Sequence, residues 1–397
     1  MNLYLAVAIV LGLISGGIVI LHKLVTGRRH IRWLGPIAMI RTHKGVHFID
    51  RTASLCPRFW RAFATFGIFA TFFLMALLVY TLIMNARYIV QTPTASPGAV
   101  MLIPGITIPL VSGIIGLVIL LVSHEFSHGI IARAEKIRVK SVGTLMLGLI
   151  PLGAFVEPDE KQLKKARTIT QLRVFAAGSF MNIVVALLVL VVTLFLIIPS
   201  FTTPVNGLLI KTVEPGSPVE ASGIEAGYLV TRMNDANIYT VVDFLREIDQ
   251  ADLKPGDKVS LYTDHGEYML EAAAREDGSG FIGIQTACGT IPKGIFFAAP
   301  LALRSVDPAC YPVNAGVNPS MFWFIFGVLV WVVIINYGVG LFNLLPLKPL
   351  DGGLMMESVS KKYIPKVSSR LVLGVTLFTL FVLLINVVGP YFWRLFV

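Results

Sequence analysis

Residues 110–132 read LVSGIIGLVILLVSHEFSHGIIA, an apolar run long enough to cross a bilayer as a helix. Near its end lie His124, Glu125 and His128, although ionisable side chains inside a membrane span are costly and usually mark function. Residues four apart share a helix face, so both imidazoles can ligate one metal while the glutamate reaches a bound water. The run predicts a membrane helix with a hydrolytic metal site. The alternative is a histidine pair that only hydrogen-bonds neighbouring helices or lies in surface water.

The whole chain has the composition of a membrane protein. Of its 397 residues, 55% are apolar and only 14% are charged, and the mean hydropathy is +0.77. Soluble domains carry about 25% charged residues. Several apolar runs approach or exceed the roughly 20 residues that a spanning helix needs. We therefore expect a polytopic α-helical membrane protein with six transmembrane helices, at residues 3–21, 63–84, 110–132, 174–198, 321–345 and 371–393.

The distribution of basic residues predicts the orientation of the chain. A net charge of +10 could suggest a nucleic-acid partner, but the basic residues lie mainly between the spans, so we expect no nucleic acid. The loops after spans one, three and five hold 23 of the 33 Lys and Arg residues, which assigns these loops to the cytoplasm. The amino terminus and the polar stretch 200–320 then lie outside. We expect a multi-pass protein of a prokaryotic cell membrane.

The spans and loops divide the chain into five segments. The polar stretch has the alternating strands and turn signals of a small soluble domain, with one amphipathic helix near residues 241–249. Cys288 and Cys310 also fall on the outer side, where a disulfide is permitted but is left open by the sequence. The segments are a first transmembrane helix with a basic cytoplasmic loop (1–62), a first part of the membrane core (63–199), the soluble domain (205–286), a linker (287–320) and a second part of the membrane core (321–397).

An apolar segment after the third span is too broken to form another helix. Residues 141–156 are interrupted by Gly143, Gly148, Pro151 and Gly153, and the segment is too short to span. We expect an extended or hairpin conformation. Non-helical backbone is tolerated at membrane depth only where protein or a water-filled cavity satisfies its polar groups. The segment is therefore predicted to line a site, with an ordinary cytoplasmic loop as the alternative.

A third metal ligand is needed because a catalytic zinc takes three protein ligands and leaves one position for water. Asp351 is the best candidate, since it follows Pro346 and Pro349 at the end of the fifth span. Such a break can aim a carboxylate into the helix bundle near the cytoplasmic side. The competing interpretation is an aspartate that caps the short helix after Gly353.

These motifs resemble the site-2 protease family, the intramembrane zinc metalloproteases also called peptidase family M50. The His-Glu-x-x-His motif on a membrane helix matches His124, Glu125 and His128, and the N-x-x-P...LDG pattern ends at Asp351. The resemblance implies one Zn²⁺ per chain, held by His124, His128 and Asp351, with Glu125 as the catalytic base. Lesser matches are residues 150–153 and the G-x-x-x-N motif of residues 178–182. This chain departs from the common pattern at Ala154, Ser179 and Lys348.

The resemblance also implies substrate-binding residues. Asn182 would hold the substrate backbone near the metal, although an interhelical hydrogen bond is the alternative for an amide in a span. The extended segment would pair with the unwound substrate as an added strand. The substrate-binding prediction includes Asn182 together with Gly148, Pro151, Leu152 and Gly153.

The soluble segment 205–286 resembles the PDZ family in its bacterial arrangement. The resemblance is carried by residues 207–218 and 221–234, and by Lys254-Pro-Gly-Asp257 before a strand. PDZ domains bind a peptide end by adding it as a strand, and Phe281, Ile282 and Gly283 are the candidate edge. A purely structural or steric role is equally compatible with the sequence.

The motifs together favour an enzyme that hydrolyses peptide bonds within or near the transmembrane segments of other proteins, as in regulated intramembrane proteolysis. The expected partners are transmembrane protein substrates, the lipid bilayer and, at the PDZ-like domain, a peptide carboxyl terminus. One rival is a membrane metal-ion transporter, which has no use for Glu125 at this spacing. Another is an inactive adaptor that binds partners through the PDZ-like domain.

Overall fold

The computed structural model describes residues 31–34, 37–92, 102–147, 150–197, 207–239, 241–275, 278–288 and 318–393. The first predicted span, 3–21, lies outside the described residues. The chain divides into two compact units, one of residues 1–189 and 331–397 and the other of residues 190–330.

The first part of the chain alternates a four-stranded sheet with long apolar helices. Its elements are β1 (Ile31–Leu34), β2 (Ile37–Thr42), α1 (Lys44–Leu55), α2 (Pro57–Gln91), α3 (Leu110–Ala134), β3 (Val139–Leu147), β4 (Ile150–Pro158), α4 (Glu160–Lys165) and α5 (Thr168–Val192), which continues as one π-helical stretch, Thr193–Ile197.

The second unit contains a small antiparallel sheet with one amphipathic helix. Its elements are β5 (Leu208–Val213), α6 (Pro218–Ala221), β6 (Leu229–Met233), β7 (Ala236–Asn237), α7 (Val241–Ala251), β8 (Lys258–Thr263), β9 (Gly266–Glu271), β10 (Ala273–Ala274), β11 (Gly280–Phe281) and β12 (Ile284–Cys288). The strand order is β12-β5-β6-β8-β9, with β7 paired to β6. Fully buried Leu208, Val230 and Leu261 lie in its core. The predicted strands and helix are confirmed, and assignment to the PDZ family stays a prediction.

The remaining elements are α8 (Pro319–Phe342), α9 (Asp351–Tyr363) and α10 (Ser368–Trp393). Among the described residues, α2, α3, α5, α8 and α10 are long and apolar enough to cross a membrane, so five of the six predicted spans are confirmed as membrane-length helices. Helix α2 corresponds to the second predicted span, 63–84, and begins earlier than expected, at Pro57. Proline is favoured at this first helical position because its missing N–H would have no intrahelical partner there.

The hairpin predicted for residues 141–156 is confirmed as β3 and β4. The sheet order is β1-β2-β3-β4, so the hairpin is extended by two strands from the basic loop, for which no strand was predicted. Gly143 lies opposite Arg41 and Phe155. A Cβ at this glycine would overlap the Ile40 carbonyl oxygen and the Phe155 ring, so the three strands require glycine here.

An apolar cluster fixes the hairpin against the end of α3. Buried Ile49, Ile131, Val142 and Ala177 bring together α1, α3, β3 and α5. Complete burial of an isoleucine or valine side chain stabilises the fold by about 1.5–3 kcal/mol. Because α3 carries the predicted metal ligands, this cluster determines where their helix lies relative to the sheet.

Polar contacts join the helices at two further places. Arg61 donates to the carbonyl oxygen of Ala134 at 2.6 Å, and Arg173 forms a 2.7 Å ion pair with Glu135. These contacts tie α2 and α5 to the end of α3. On α2, Asn85 donates to the buried Asn386 of α10 at 2.7 Å, which satisfies an amide that would be costly in lipid.

Candidate metal centre

The two motif histidines lie on one face of α3. Their Nε2 atoms are 3.2 Å apart, and the rings are close to perpendicular at 81°. Each side chain is largely buried, with 12% of His124 and 14% of His128 exposed. The one-turn spacing of the sequence therefore produces the convergent pair of nitrogen atoms that the motif predicts.

Asp351 reaches the same point from the start of α9. Its Oδ1 lies 3.5 Å from the Nε2 atom of His128, and its Oδ2 lies 3.6 Å from the Nε2 atom of His124. The residue before it, Leu350, occupies the N-cap position, and no side chain caps this helix. The competing interpretation of Asp351 as a helix cap is wrong because its carboxylate faces the histidines.

Glycines make the break before α9 possible. The N–H of Gly352 donates to the Asn343 carbonyl oxygen at 2.9 Å, which folds the chain back after α8. A Cβ on Gly352 would overlap the carbonyl oxygen of Leu344, and one on Gly353 would meet the Leu347 carbonyl. The two glycines after Asp351 therefore pack directly against the backbone of Leu344 and Leu347, which a residue with a side chain could not do. This packing places the Asp351 carboxylate at the start of α9.

The three side chains have the chemistry and spacing of a zinc site. For tetrahedral zinc with ligand bonds of about 2.0–2.1 Å, neighbouring ligand atoms lie roughly 3.3 Å apart. The donor separations here run from 3.2 to 3.6 Å. The described histidine, cysteine, aspartate and glutamate side chains include one group of three that is close enough to hold a metal ion: His124, His128 and Asp351. Two neutral imidazoles and one carboxylate fit Zn²⁺.

Glu125 follows the first histidine on α3 and is held by the hairpin. Its Oε2 accepts a hydrogen bond from the backbone N–H of Val156 on β4 at 2.9 Å. Val156 lies opposite Val142 in the hairpin. Since its N–H is donated to Glu125, this amide points away from β3, towards the edge of β4 that has no partner strand among the described residues. The hairpin therefore holds one oxygen of the Glu125 carboxylate.

Helix α5 contacts all three metal-ligand candidates. The Nδ1 atom of His128 lies 2.7 Å from the carbonyl oxygen of Val174, and the hydroxyl of Ser179 donates to Asp351 Oδ2 at 2.7 Å. Between them, a Cβ on Gly178 would overlap His128 Nε2 and lie 2.6 Å from His124 Cε1. Glycine at this position lets the helix backbone approach both rings.

Asn182 lies one turn further along α5 and is fully buried. Its amide nitrogen is 3.0 Å from Nδ1 of His124, and its Oδ1 accepts from the Ser123 hydroxyl at 3.0 Å. The Asn182 amide thus contacts two side chains of α3, which agrees with the alternative prediction of an interhelical hydrogen bond. Its predicted role with the substrate backbone stays a prediction.

The predicted substrate segment lies partly within the described residues. Gly148 lies outside them. Pro151, Leu152 and Gly153 belong to β4, where Pro151 is opposite Met146 and Gly153 is opposite Leu145. The backbone therefore has the extended conformation that strand addition needs, while contact with a substrate stays a prediction.

Two other sequence predictions concern the second unit. Within the predicted peptide edge, Phe281 pairs with Ala273, while the carbonyl oxygens of Ile282 and Gly283 accept from Val219 and Glu214 at 3.0 and 2.9 Å. Peptide binding there stays a prediction. The possible partner of Cys288, Cys310, lies outside the described residues.

Lys348, the cation close to Asp351 in sequence, turns away from it. Its Nζ lies 2.8 Å from Oε2 of Glu357, which also pairs with Lys361 at 2.7 Å. Burial raises the pKa of the Glu357 carboxyl, but hydrogen bonds from the two lysines outweigh this effect and hold its pKa below the ordinary value.

Sequence reasoning missed several residues that contact the site. It treated Ser179 only as a departure from a family pattern, and it gave no role to Ser123, Val156 or Val174. A serine beside Gly178 in an apolar span is a detectable signal. The backbone groups of Val156 and Val174 leave no signal in the sequence, because every residue except proline has the same backbone N–H donor and C=O acceptor.

Comparison with known proteins agrees with this geometry. A family model described as Peptidase family M50 matches residues 112–385, which include the whole candidate metal centre. An uncharacterized protein of Methanocaldococcus jannaschii is 25% identical over 320 residues, covering 80% of this chain and 76% of that protein. A Clostridium perfringens protein named "Putative zinc metalloprotease" is 23% identical over 308 residues, covering 62% of this chain and 87% of its own length.

Proposed function

From the premise that this chain belongs to peptidase family M50, a family of membrane zinc metalloproteases, we propose that it hydrolyses peptide bonds within or beside transmembrane segments of other proteins. The observation that carries the proposal is the convergence of His124 and His128, on a helix long and apolar enough to cross a membrane, with Asp351 at the start of α9. Their donor atoms lie 3.2–3.6 Å apart. Glu125 lies directly beside this set in the sequence.

Each side chain has a distinct role in the proposed reaction. Zinc held by His124, His128 and Asp351 would supply Lewis-acid polarisation of the scissile carbonyl and a more acidic water. Glu125 accepts a proton from the attacking water and delivers it to the leaving amine, so no covalent intermediate with the protein is needed. The hydrogen bond from Val156 keeps the Glu125 carboxylate in one orientation during both transfers.

The edge of β4 is the proposed docking site for the unwound substrate. A helical substrate hides its carbonyl groups in its own hydrogen bonds, so cleavage requires new partners for the freed backbone. Because the Val156 N–H points away from β3, the alternation of antiparallel pairs also directs the N–H and C=O of Ala154, two residues earlier, away from β3. Ala154 would then bond the substrate backbone as an added strand.

The base is tested by Glu125→Gln in purified protein reconstituted into liposomes with a model transmembrane peptide. We expect cleavage to fall by at least about 100-fold while zinc content is unchanged, since the variant keeps shape but loses basicity. Glu160→Gln, on the exposed helix α4, is the matched control and should cleave normally. Retained cleavage by Glu125→Gln contradicts the proposal.

Strand addition is tested by Ala154→Pro, which removes an outward N–H without removing a bond to β3. We expect the apparent affinity for the transmembrane peptide to fall while zinc content stays at the wild-type level. A normal KM would exclude pairing at this position. A metal-flux assay on the same liposomes tests the transporter alternative, for which flux without cleavage is the expected result.

The second unit is proposed to act as a PDZ-like domain on the outer side of the membrane. It could recognise a peptide carboxyl terminus left by an earlier cut, which its antiparallel sheet and helix α7 support. Binding of labelled peptides with free or amidated carboxyl termini to the full-length protein tests this role. Equal binding of both peptides would argue against recognition of a chain end.

A further inference from the structure

One face of α5 contacts every metal-ligand candidate without contributing a ligand itself. Val174, Gly178, Ser179 and Asn182 are separated by four, one and three positions, a spacing that places them on one side of a helix. Val174 contacts His128, Ser179 contacts Asp351, and Asn182 contacts His124. The three contacts are 2.7–3.0 Å long, within hydrogen-bond range.

We infer that Ser179 and Asn182 are positioning residues of the metal centre, which orient Asp351 and His124. This inference rests on the zinc site of the proposed function. Groups that hydrogen-bond a metal ligand fix its orientation, and their loss typically costs about 10- to 100-fold in metal affinity.

Ser179 acts on the carboxylate. Its side chain is fully buried, and its hydroxyl donates to Oδ2 of Asp351. This bond leaves Oδ1 directed to the side of His128, at 3.5 Å from Nε2.

Asn182 acts on the imidazole through its carbonyl oxygen. A histidine that binds metal through Nε2 carries its proton on Nδ1, so its neighbour must accept. The two ends of an asparagine amide are assigned from hydrogen bonding, and exchanging them here gives Nδ1–H of His124 an acceptor. With the ends exchanged, the amide nitrogen lies 3.0 Å from the Ser123 oxygen and donates to it, and the Ser123 hydroxyl donates to the Leu120 carbonyl oxygen at 3.1 Å.

His128 differs from the other two ligands because its partner is backbone. The carbonyl oxygen of Val174 accepts from Nδ1 of His128, which leaves Nε2 free for the metal. No side-chain substitution removes this carbonyl. The inference is therefore tested at the side chains of Ser179 and Asn182, whose polar groups can be removed by substitution.

The test measures zinc affinity of the full-length protein in detergent by competition with a chromophoric chelator, and the absorption spectrum of the Co²⁺-loaded protein. Ser179→Ala should bind zinc about 10- to 100-fold more weakly and show a changed cobalt spectrum. Ser360→Ala is the matched control. It also removes a buried serine hydroxyl bond, to Ser368 at 2.7 Å, on the helix that begins with Asp351.

Asn182 is tested by a pair of variants. Asn182→Leu removes the acceptor and should weaken zinc binding, whereas Asn182→Asp keeps an acceptor opposite His124 and should restore most of the affinity. Wild-type zinc affinity in Asn182→Leu together with a raised KM would assign this residue to the substrate and overturn its positioning role.

The inference as a whole is overturned if Ser179→Ala keeps wild-type zinc affinity and cobalt spectrum, or loses no more affinity than Ser360→Ala. The wild-type protein and His128→Ala separate this result from a failure of the proposed function. Absence of zinc binding in the wild type defeats both proposals. If the wild type binds zinc, His128→Ala abolishes this binding and Ser179→Ala leaves it intact, only the positioning inference is defeated and the proposed function stands.

Discussion

Helices α3 and α5 are each 25 residues long and apolar enough to cross a membrane, yet they contribute in different ways to the metal centre. Helix α3 presents His124, Glu125 and His128, whose side chains can bind metal or accept a proton. Helix α5 presents a serine, an asparagine, a glycine and a backbone carbonyl that contact those groups. The difference teaches that reactive side chains are recognisable in an apolar sequence, whereas the groups that orient them resemble ordinary helix-packing residues.

The strongest test of this division is removal of a ligand from α3. His128→Ala should reduce bound zinc from one ion per chain to near zero and abolish peptide cleavage, because two remaining ligands do not hold a catalytic zinc. Metal analysis of the purified protein measures this outcome. His47→Ala, an exposed histidine on α1, is the control and should keep its zinc. Full zinc occupancy in His128→Ala would remove this residue from the ligand set.

The corresponding test on α5 is a single added methyl group. Gly178→Ala would place Cβ against His128 Nε2 and 2.6 Å from His124 Cε1, so the rings must move. We expect zinc affinity to fall by at least about tenfold, with a stability cost of roughly 1–3 kcal/mol from overpacking.

Gly327→Ala provides the matched control for Gly178→Ala. Gly327 also lies in an apolar helix, and a Cβ there has no described neighbour within 4 Å. It should leave zinc affinity unchanged and gain up to about 1 kcal/mol in helix stability. Equal zinc affinity in both variants would show that α5 does not approach the rings closely.

A smaller effect is expected from the bond that the hairpin makes to α3. Val156→Pro removes the N–H that Glu125 accepts, and the outward direction of this N–H leaves the pairing of β4 with β3 in place. Loss of one hydrogen bond to a charged group, about 1.5 kcal/mol, should lower kcat about tenfold with zinc content unchanged. A kcat equal to that of the wild type would show that this bond does not orient the base.

The smallest effect is expected outside the membrane-spanning helices, at Glu357. The folded pKa of this carboxyl is lowered from its ordinary value of 4.5, so its ion pairs with Lys348 and Lys361 add stability above that pH. This contribution is lost as pH falls through the folded pKa. Glu357→Gln should therefore cost up to about 1 kcal/mol near neutral pH and little in strong acid, measured by thermal unfolding at several pH values. A difference that grows in acid would contradict this sign.

Much of the fold was predictable from local patterns. Five described membrane-length helices coincide with predicted apolar runs, and interruptions such as Gly143 and Gly153 correctly predicted the hairpin β3–β4. The pairing of β2 with β3 was not predicted. Its strands are separated by about 100 residues that include two long helices, and no local pattern encodes contact over that distance.

The sequence by itself determined the reactive groups: a helical period of 3.6 residues brings His124 and His128 together, and the adjacent Glu125 is a base beside them. Tertiary structure alone decided which groups orient them. Hydrogen bonds from Ser179 to Asp351 and from Val156 to Glu125 join residues 172 and 31 positions apart. The physical reason is that periodicity fixes neighbours within one helix, whereas hydrogen-bond partners between elements depend on how those elements pack.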